Sequence, residues 1–196
     1  MTQSPQKTGN IVQLAIVFEA GIFLVALGFG GLMDESPLKI LHLNWTGLLV
    51  GTLATGPLLL AMWGCSRSKF GPFEELMRQV EEQIVPLFLG ASTWSLLLIS
   101  VLAGVGEEFL FRGVLQSGLT GWVGMPVALG VTSVLFGLAH LITPTYAVFA
   151  GLIGAYFGVL GVLTGNLLVP IVTHALYDFV ALKYLTRTAG RELCEQ

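Results

Sequence analysis

Apolar residues in this chain fall in long unbroken runs, without strand-like alternation, and the polar residues collect between the runs. Runs of that length cross lipid as helices, because each backbone polar group must be bonded within its own segment. The first runs from Ile11 to about Met33, too long for the apolar core of a cleaved signal peptide, and reads as a retained span. Polar Met1–Asn10 before it is expected to be disordered. Glu19, inside the span, reads as a carboxyl that faces a neighbouring helix or reaches toward the headgroups. Asp34–Asn44 forms a loop with Pro37, Lys39 and a solvated His42. The second span, Trp45 to about Cys65, is expected to bend near Gly56-Pro57, with Trp45 and Trp63 as interfacial anchors.

From Ser66 to Pro86 the pattern changes. Phe73, Leu76, Met77, Val80 and Ile84 recur at helical spacing among seven charged residues, which predicts an amphipathic helix on the membrane surface, a connector or a gate. Leu87 to about Gly118 would be about 48 Å long as one helix, more than a straight span, so a bend is expected at Gly104 and Gly106. Further spans are Gly124–Ile142, Tyr146 to about Gly165, and Leu167 to about Leu185, the last opened by Pro170. Ala150, Gly154 and Gly158 lie in register and predict close helix packing. The fold class is therefore all-α: a polytopic transmembrane bundle of about six spans with one interfacial helix. It divides into 1–86 (polar tail, two spans, interfacial helix), 87–185 (membrane core) and 186–196 (polar tail).

Composition supports this class. Hydrophobic residues make up 54% and charged residues 11%, with mean hydropathy +0.81, far from the roughly 25% charged residues of soluble domains. A net charge of -3 gives no reason to expect a nucleic-acid partner. Cys65 and Cys194 lack disulfide or zinc spacing, and Cys194, with two residues after it, is not placed as a prenylation site. Lys and Arg in the loop after the second span and in the C-terminal tail put both termini in the cytoplasm. The expected location is a bacterial inner (plasma) membrane, multi-pass.

Against that background the charges in the core stand out. From Ile84 to Leu182 they are Glu107, Glu108, Arg112 and Asp178. An ionisable group at membrane depth costs from about 2.5 to more than 10 kcal/mol, so it pairs, faces water or does chemistry. Glu108 and Arg112 are four apart, acid first, the favourable order for an ion pair. Glu107 is turned about 100° from Glu108 and is free to face a cavity. Phe136 and His140 share one helix face, and His174 and Asp178 another. A carboxylate, two imidazoles and a second carboxyl can activate water and stabilise an oxyanion, or hold a metal. H-E-x-x-H and G-x-S-x-G are absent, and Asp178 has no second intramembrane aspartate as partner.

Taken in series, E-E-x-x-x-R (Glu107 to Arg112), F-x-x-x-H (Phe136 to His140) and H-x-x-x-D (His174 to Asp178) resemble the CPBP family of intramembrane proteases. That family takes in the type II CAAX prenyl endopeptidases and the bacteriocin-processing and immunity (Abi) proteins; the resemblance covers about Leu87 to Leu185. It implies a glutamic-type intramembrane endopeptidase acting on a membrane-anchored peptide or protein, prenylated substrates included, in contact with membrane lipid. By the resemblance, Glu107 and His140 activate the water, His174 and Asp178 stabilise the oxyanion, and Glu108, Arg112 and Phe136 support the site. The best-known prenyl endopeptidases have asparagine at the position of Asp178. An ionised carboxylate cannot donate to an oxyanion, so Asp178 would be protonated, orient His174 or bind metal. No cofactor is expected; zinc on Glu107, His140, His174 and Asp178 is the alternative.

Straight helices would leave His140 and His174 about 10 Å apart in depth. The helix that carries His140 is therefore expected to end inside the membrane, with Leu141–Thr145 lining a wet cavity. Two other readings compete: a non-catalytic scaffold or bacteriocin-immunity protein of the same family, and a small transporter or proton pathway using Glu19, Glu107 and the histidines, for which no inverted repeat is evident.

Overall fold

The computed structural model describes residues 5–33 and 35–194. Met1–Ser4, part of the tail expected to be disordered, lie outside the described residues. Helix α1 spans Pro5–Leu32, so it begins before the apolar run and absorbs most of that tail. A 3-10 turn at Pro37–Ile40 leads to α2 (Trp45–Cys65). The Asn44 side chain caps α2 by accepting from the Gly47 N–H at 2.6 Å, satisfying one of the N–H groups that a helix start leaves free. Pro57, near which a bend is expected, lies inside α2, which continues through it as one helix.

The charged segment forms α3 (Gly71–Gln79), a π-helical turn at Val80–Ile84 and the short α4 (Val85–Phe88). Its apolar side packs inward, with Phe73 against Phe149 at a ring separation of 5.6 Å. On its polar side the Arg78 guanidinium hydrogen-bonds Glu75 and holds that carboxyl below its ordinary range. Gly90 breaks the chain at φ +84°, a region that costs a residue with a Cβ more than glycine. Helix α5 (Thr93–Glu108) then starts under the Ser92 cap, which accepts from the Ser95 N–H at 3.1 Å.

Helix α5 passes into a π-helical stretch, Phe109–Gln116, and then α6 (Ser117–Val123). The irregularity expected at Gly104 and Gly106 thus lies just beyond them. Those glycines serve packing. A Cβ on Gly104 would stand 2.9 Å from the Ala175 backbone nitrogen and 3.0 Å from the Ile171 carbonyl, and one on Gly106 3.0 Å from the Glu19 carbonyl. Helix α7 spans Met125–Ala139, α8 Pro144–Thr164 and α9 Leu168–Cys194. Among the described residues there is no strand.

Residue pairings give the directions. Gly104 meets Ala175 while Thr93 bonds Lys183, so α5 and α9 are antiparallel; Gly47 meets Leu168 and Gly51 meets Val172, so α2 and α9 are parallel. Thr8 bonds Leu89 while Phe23 packs on Phe109, so α1 runs parallel to α5. Among the described residues five helices are long and apolar enough to cross a membrane, with Thr93–Val123 (α5, the π-helical stretch and α6) counted as one. The sixth expected span, α7, has only 15 residues, about 22 Å, against roughly 30 Å of hydrocarbon. Apolar side chains such as Leu14, Phe18, Leu24, Leu49, Leu53 and Leu60 point outward, as lipid-facing helices require. This is an integral membrane protein.

Two apolar clusters flank the π-helical stretch. Phe109 packs with Ala26, Leu167 and Ile171 on one side, and Phe111 with Phe136 and Phe157 on the other. The polar motif is held between them.

The close approach of α5 to α9 makes Gly104 sensitive. Gly104→Leu is expected to lower the thermal unfolding midpoint in detergent, by overpacking worth about 1–3 kcal/mol. Gly21→Ala, where nothing lies within 4 Å of the added carbon, is expected to leave the midpoint unchanged or raise it by up to about 1 kcal/mol in stability. Equal midpoints for the two variants would refute this packing.

Candidate active site

At the end of α5, Glu107 and Glu108 diverge as their helical spacing predicts. The Glu108 side chain is 0% exposed and that of Arg112 is 3% exposed; they meet at 3.0 Å between Oε1 and Nη1. The same Glu108 oxygen faces His174 Nδ1 at 2.9 Å, a contact that the sequence did not suggest. Since a carboxylate only accepts, Nδ1 carries the hydrogen and donates. One buried carboxylate therefore binds the arginine of its own motif and the histidine of the third.

Arg112 is fixed at its far end as well. Its Nη2 donates to the Gly154 carbonyl of α8, and its guanidinium lies over the Phe136 ring, 4.6 Å from the centroid, with Phe157 at 5.6 Å. A cation so placed gains from both ring faces. The π-helical stretch leaves the Arg112 carbonyl for the Ser117 hydroxyl, which donates to it at 3.0 Å. Insertions of this type are frequent where a helix must turn functional side chains off the regular α spacing.

Glu107 faces another way. Its Oε2 lies 3.6 Å from His140 Nε2, too long for a direct hydrogen bond, and among the described residues that buried oxygen has no hydrogen-bond partner. His140 stands where α7 ends: Pro144 cannot continue the helix, and the Thr143 hydroxyl oxygen caps α8 by accepting from the Tyr146 N–H at 3.2 Å. The His140 Nδ1 is 2.8 Å from the Phe136 carbonyl, which can only accept, so Nδ1–H donates and Nε2 is the nitrogen turned to Glu107. Phe136 also stacks on the imidazole at 4.5 Å and 25°. Helix α7 thus ends at Ala139, directly before His140.

His174 is buried on α9. Phe157 stacks on its ring at 4.6 Å and 16°, and its Nε2 lies 3.4 Å from Asp178 Oδ2. Glu107, Glu108, Arg112, Phe136, His140, His174 and Asp178, all predicted as site residues, thus come together in one place.

Four features were not foreseen. Phe157 is one, although it lies one turn beyond Gly154 on the small-residue face. The Gly154 carbonyl is another: that register was expected to serve packing alone, and it also positions Arg112. The interfacial helix reaches the site through Gln79, whose side chain accepts from the Thr143 hydroxyl. Glu19 is the fourth: on α1 it packs against Gly106 of the neighbouring α5, and it lies within electrostatic reach of Glu107, His174 and Asp178.

Zinc would need three or four converging donors. Among the described residues no three His, Cys, Asp or Glu side chains form such a group. His174 turns one nitrogen to Glu108 and the other to Asp178, and His140 commits Nδ1 to the backbone.

The three motifs lie within residues 89–180, and that stretch matches the profile of the family described as Type II CAAX prenyl endopeptidase Rce1-like. Helices α1 to α4 fall outside the match. No curated protein and no solved structure matches the chain. Residues 89–180, which hold every motif residue of the site, are thus similar to the Rce1-like type II CAAX prenyl endopeptidases, in line with the resemblance of the motifs.

Proposed function

We propose that this protein is an intramembrane endopeptidase that cleaves a membrane-anchored, prenylated (CAAX-type) peptide by water activated between Glu107 and His140, without a metal. The observation that carries the reading is the 3.6 Å separation of Glu107 Oε2 and His140 Nε2. Two acceptor atoms that far apart can both reach one water at an ordinary hydrogen-bond length of about 2.8 Å. Glu107 or His140 takes a proton as the water oxygen attacks the peptide carbonyl, and the protonated group returns it to the leaving amine. His174, with Nδ1–H committed to Glu108, offers Nε2–H to the oxyanion in its imidazolium form. Asp178 orients that ring when no oxyanion is bound. Glu108 and Arg112 hold the frame in which these groups sit.

Outward apolar faces suit a substrate that arrives from the lipid. The match to CAAX endopeptidases supports a lipid anchor on that substrate.

Purified protein is expected to cleave a farnesylated C-terminal peptide. Glu107→Gln should abolish cleavage while keeping the fold, because amide and carboxylate are alike in size. A chelator should leave the wild-type rate unchanged. Inhibition by the chelator, reversed by zinc, would replace the metal-free mechanism. Equal rates for wild type and Glu107→Gln would end the assignment of Glu107.

Asp178→Asn is expected to keep turnover within about tenfold, since an amide still accepts from His174 and can also donate to the oxyanion, whereas Asp178→Ala should cost on the order of 100-fold. Arg112→Ala should instead reduce the yield of folded protein, because it strands the buried Glu108 charge at a cost of about 3–5 kcal/mol. Normal yield and stability of the arginine variant would refute its structural role.

A further inference from the structure

Glu19 is the one charged residue of α1 between Ile11 and Leu32, and it lies outside the stretch that matches the protease family. Its backbone packs on Gly106, whose added Cβ would stand 3.0 Å from the Glu19 carbonyl. One turn on, Phe23 packs against Phe109 with ring centroids 5.3 Å apart. These two contacts fix α1 beside the Glu107-Glu108 pair, so the position of Glu19 is set by packing.

Its carboxyl is unsatisfied in a telling way. Glu19 Oε2 is buried and has no hydrogen-bond partner among the described residues, and the same holds for Glu107 Oε2, on a residue only 7% exposed. A buried polar atom without a partner is costly. Two carboxylate oxygens cannot satisfy each other, since both only accept; a hydrogen between them can satisfy both. Arg112 spends Nη1 on Glu108 and Nη2 on the Gly154 carbonyl.

We infer that Glu19 is a positioning residue of the site, which shares a hydrogen with Glu107, carried by a bridging water or by one of the two carboxyls, and so fixes the Glu107 carboxylate for attack. Resting on the peptidase reading above, the inference adds a helix that the family motifs do not include. With Glu19 in place, the Glu107 carboxyl is held from the α1 side while His140 approaches its Oε2. Loss of that hold lets the carboxylate turn away from the hydrolytic water without changing how the peptide binds.

Glu19→Gln in the full chain, purified in detergent, tests this. Expected results are a fall in kcat of at least about tenfold, an unchanged KM, an unchanged thermal midpoint, and a shifted infrared carboxyl band of Glu107, that band being identified by its loss in Glu107→Gln. The spectrum also separates the two carriers. A protonated-carboxyl stretch removed by either single substitution identifies a shared proton, and a shifted carboxylate stretch a bridging water. The infrared arm does not need turnover, so it decides the inference even if wild type fails to cleave the peptide, a failure that would count against the proposed function alone. An unmoved Glu107 band, or a lowered thermal midpoint with kcat unchanged, would overturn it and leave Glu19 as a packing residue.

Discussion

The structure depends on one buried carboxylate. Glu108 has no exposed surface, yet it accepts from Arg112 and from His174, which belong to separate helices and separate motifs. A single charge in an apolar bundle would be prohibitive, and a bare ion pair costs nearly as much as it returns. What makes this one tolerable is that each partner finds a further contact beyond it. Arg112 reaches the Gly154 carbonyl and lies against Phe136 and Phe157, while His174 turns its second nitrogen to Asp178 and stacks on Phe157. The network spans α5, α7, α8 and α9, and none of those helices can shift far without unpairing a buried charge.

Once Glu108 and Arg112 have neutralised each other, the adjacent Glu107 is left with a different task. The backbone places it on another face of the same turn, where no guanidinium competes for it, and α7 ends early enough to bring His140 within 3.6 Å. Adjacent carboxylates thus do unlike work because of one helical step. The π-helical stretch from Phe109 to Gln116 serves the same division: it separates Phe109 and Phe111 into two apolar clusters on either side of the polar motif.

Much of this arrangement could be read from the sequence, for physical reasons. Charge is so expensive in these apolar runs that its few occurrences mark the site, and the i, i+4 spacing of Glu108 and Arg112 predicts their pairing. The early end of α7 follows from Pro144 and from the depths of the two histidines. What the sequence hid were contacts between distant segments. The bridge from Glu108 to His174 spans 66 positions, and nothing local distinguishes it from a pairing of His174 with Glu107. The Gly154 carbonyl as an acceptor is a property of backbone placement. The irregularity expected at Gly104 and Gly106 falls instead at Phe109–Gln116, and in α5 the missing side chains are used for close approach to α1 and α9.

Glu19 shows where sequence reasoning stopped short of its own rule. The cost of an intramembrane charge singled out Glu107, Glu108, Arg112 and Asp178, and it applies with equal force to a lone carboxyl in α1. Its distance in sequence from the motifs, 88 positions before Glu107, made an independent structural role the economical reading. Packing changes that balance, because Gly106 and Phe109 bring α1 against the motif itself. Helix α1 is thus more than a lipid-facing wall: its packing on Gly106 and Phe109 sets the Glu19 carboxyl beside the motif.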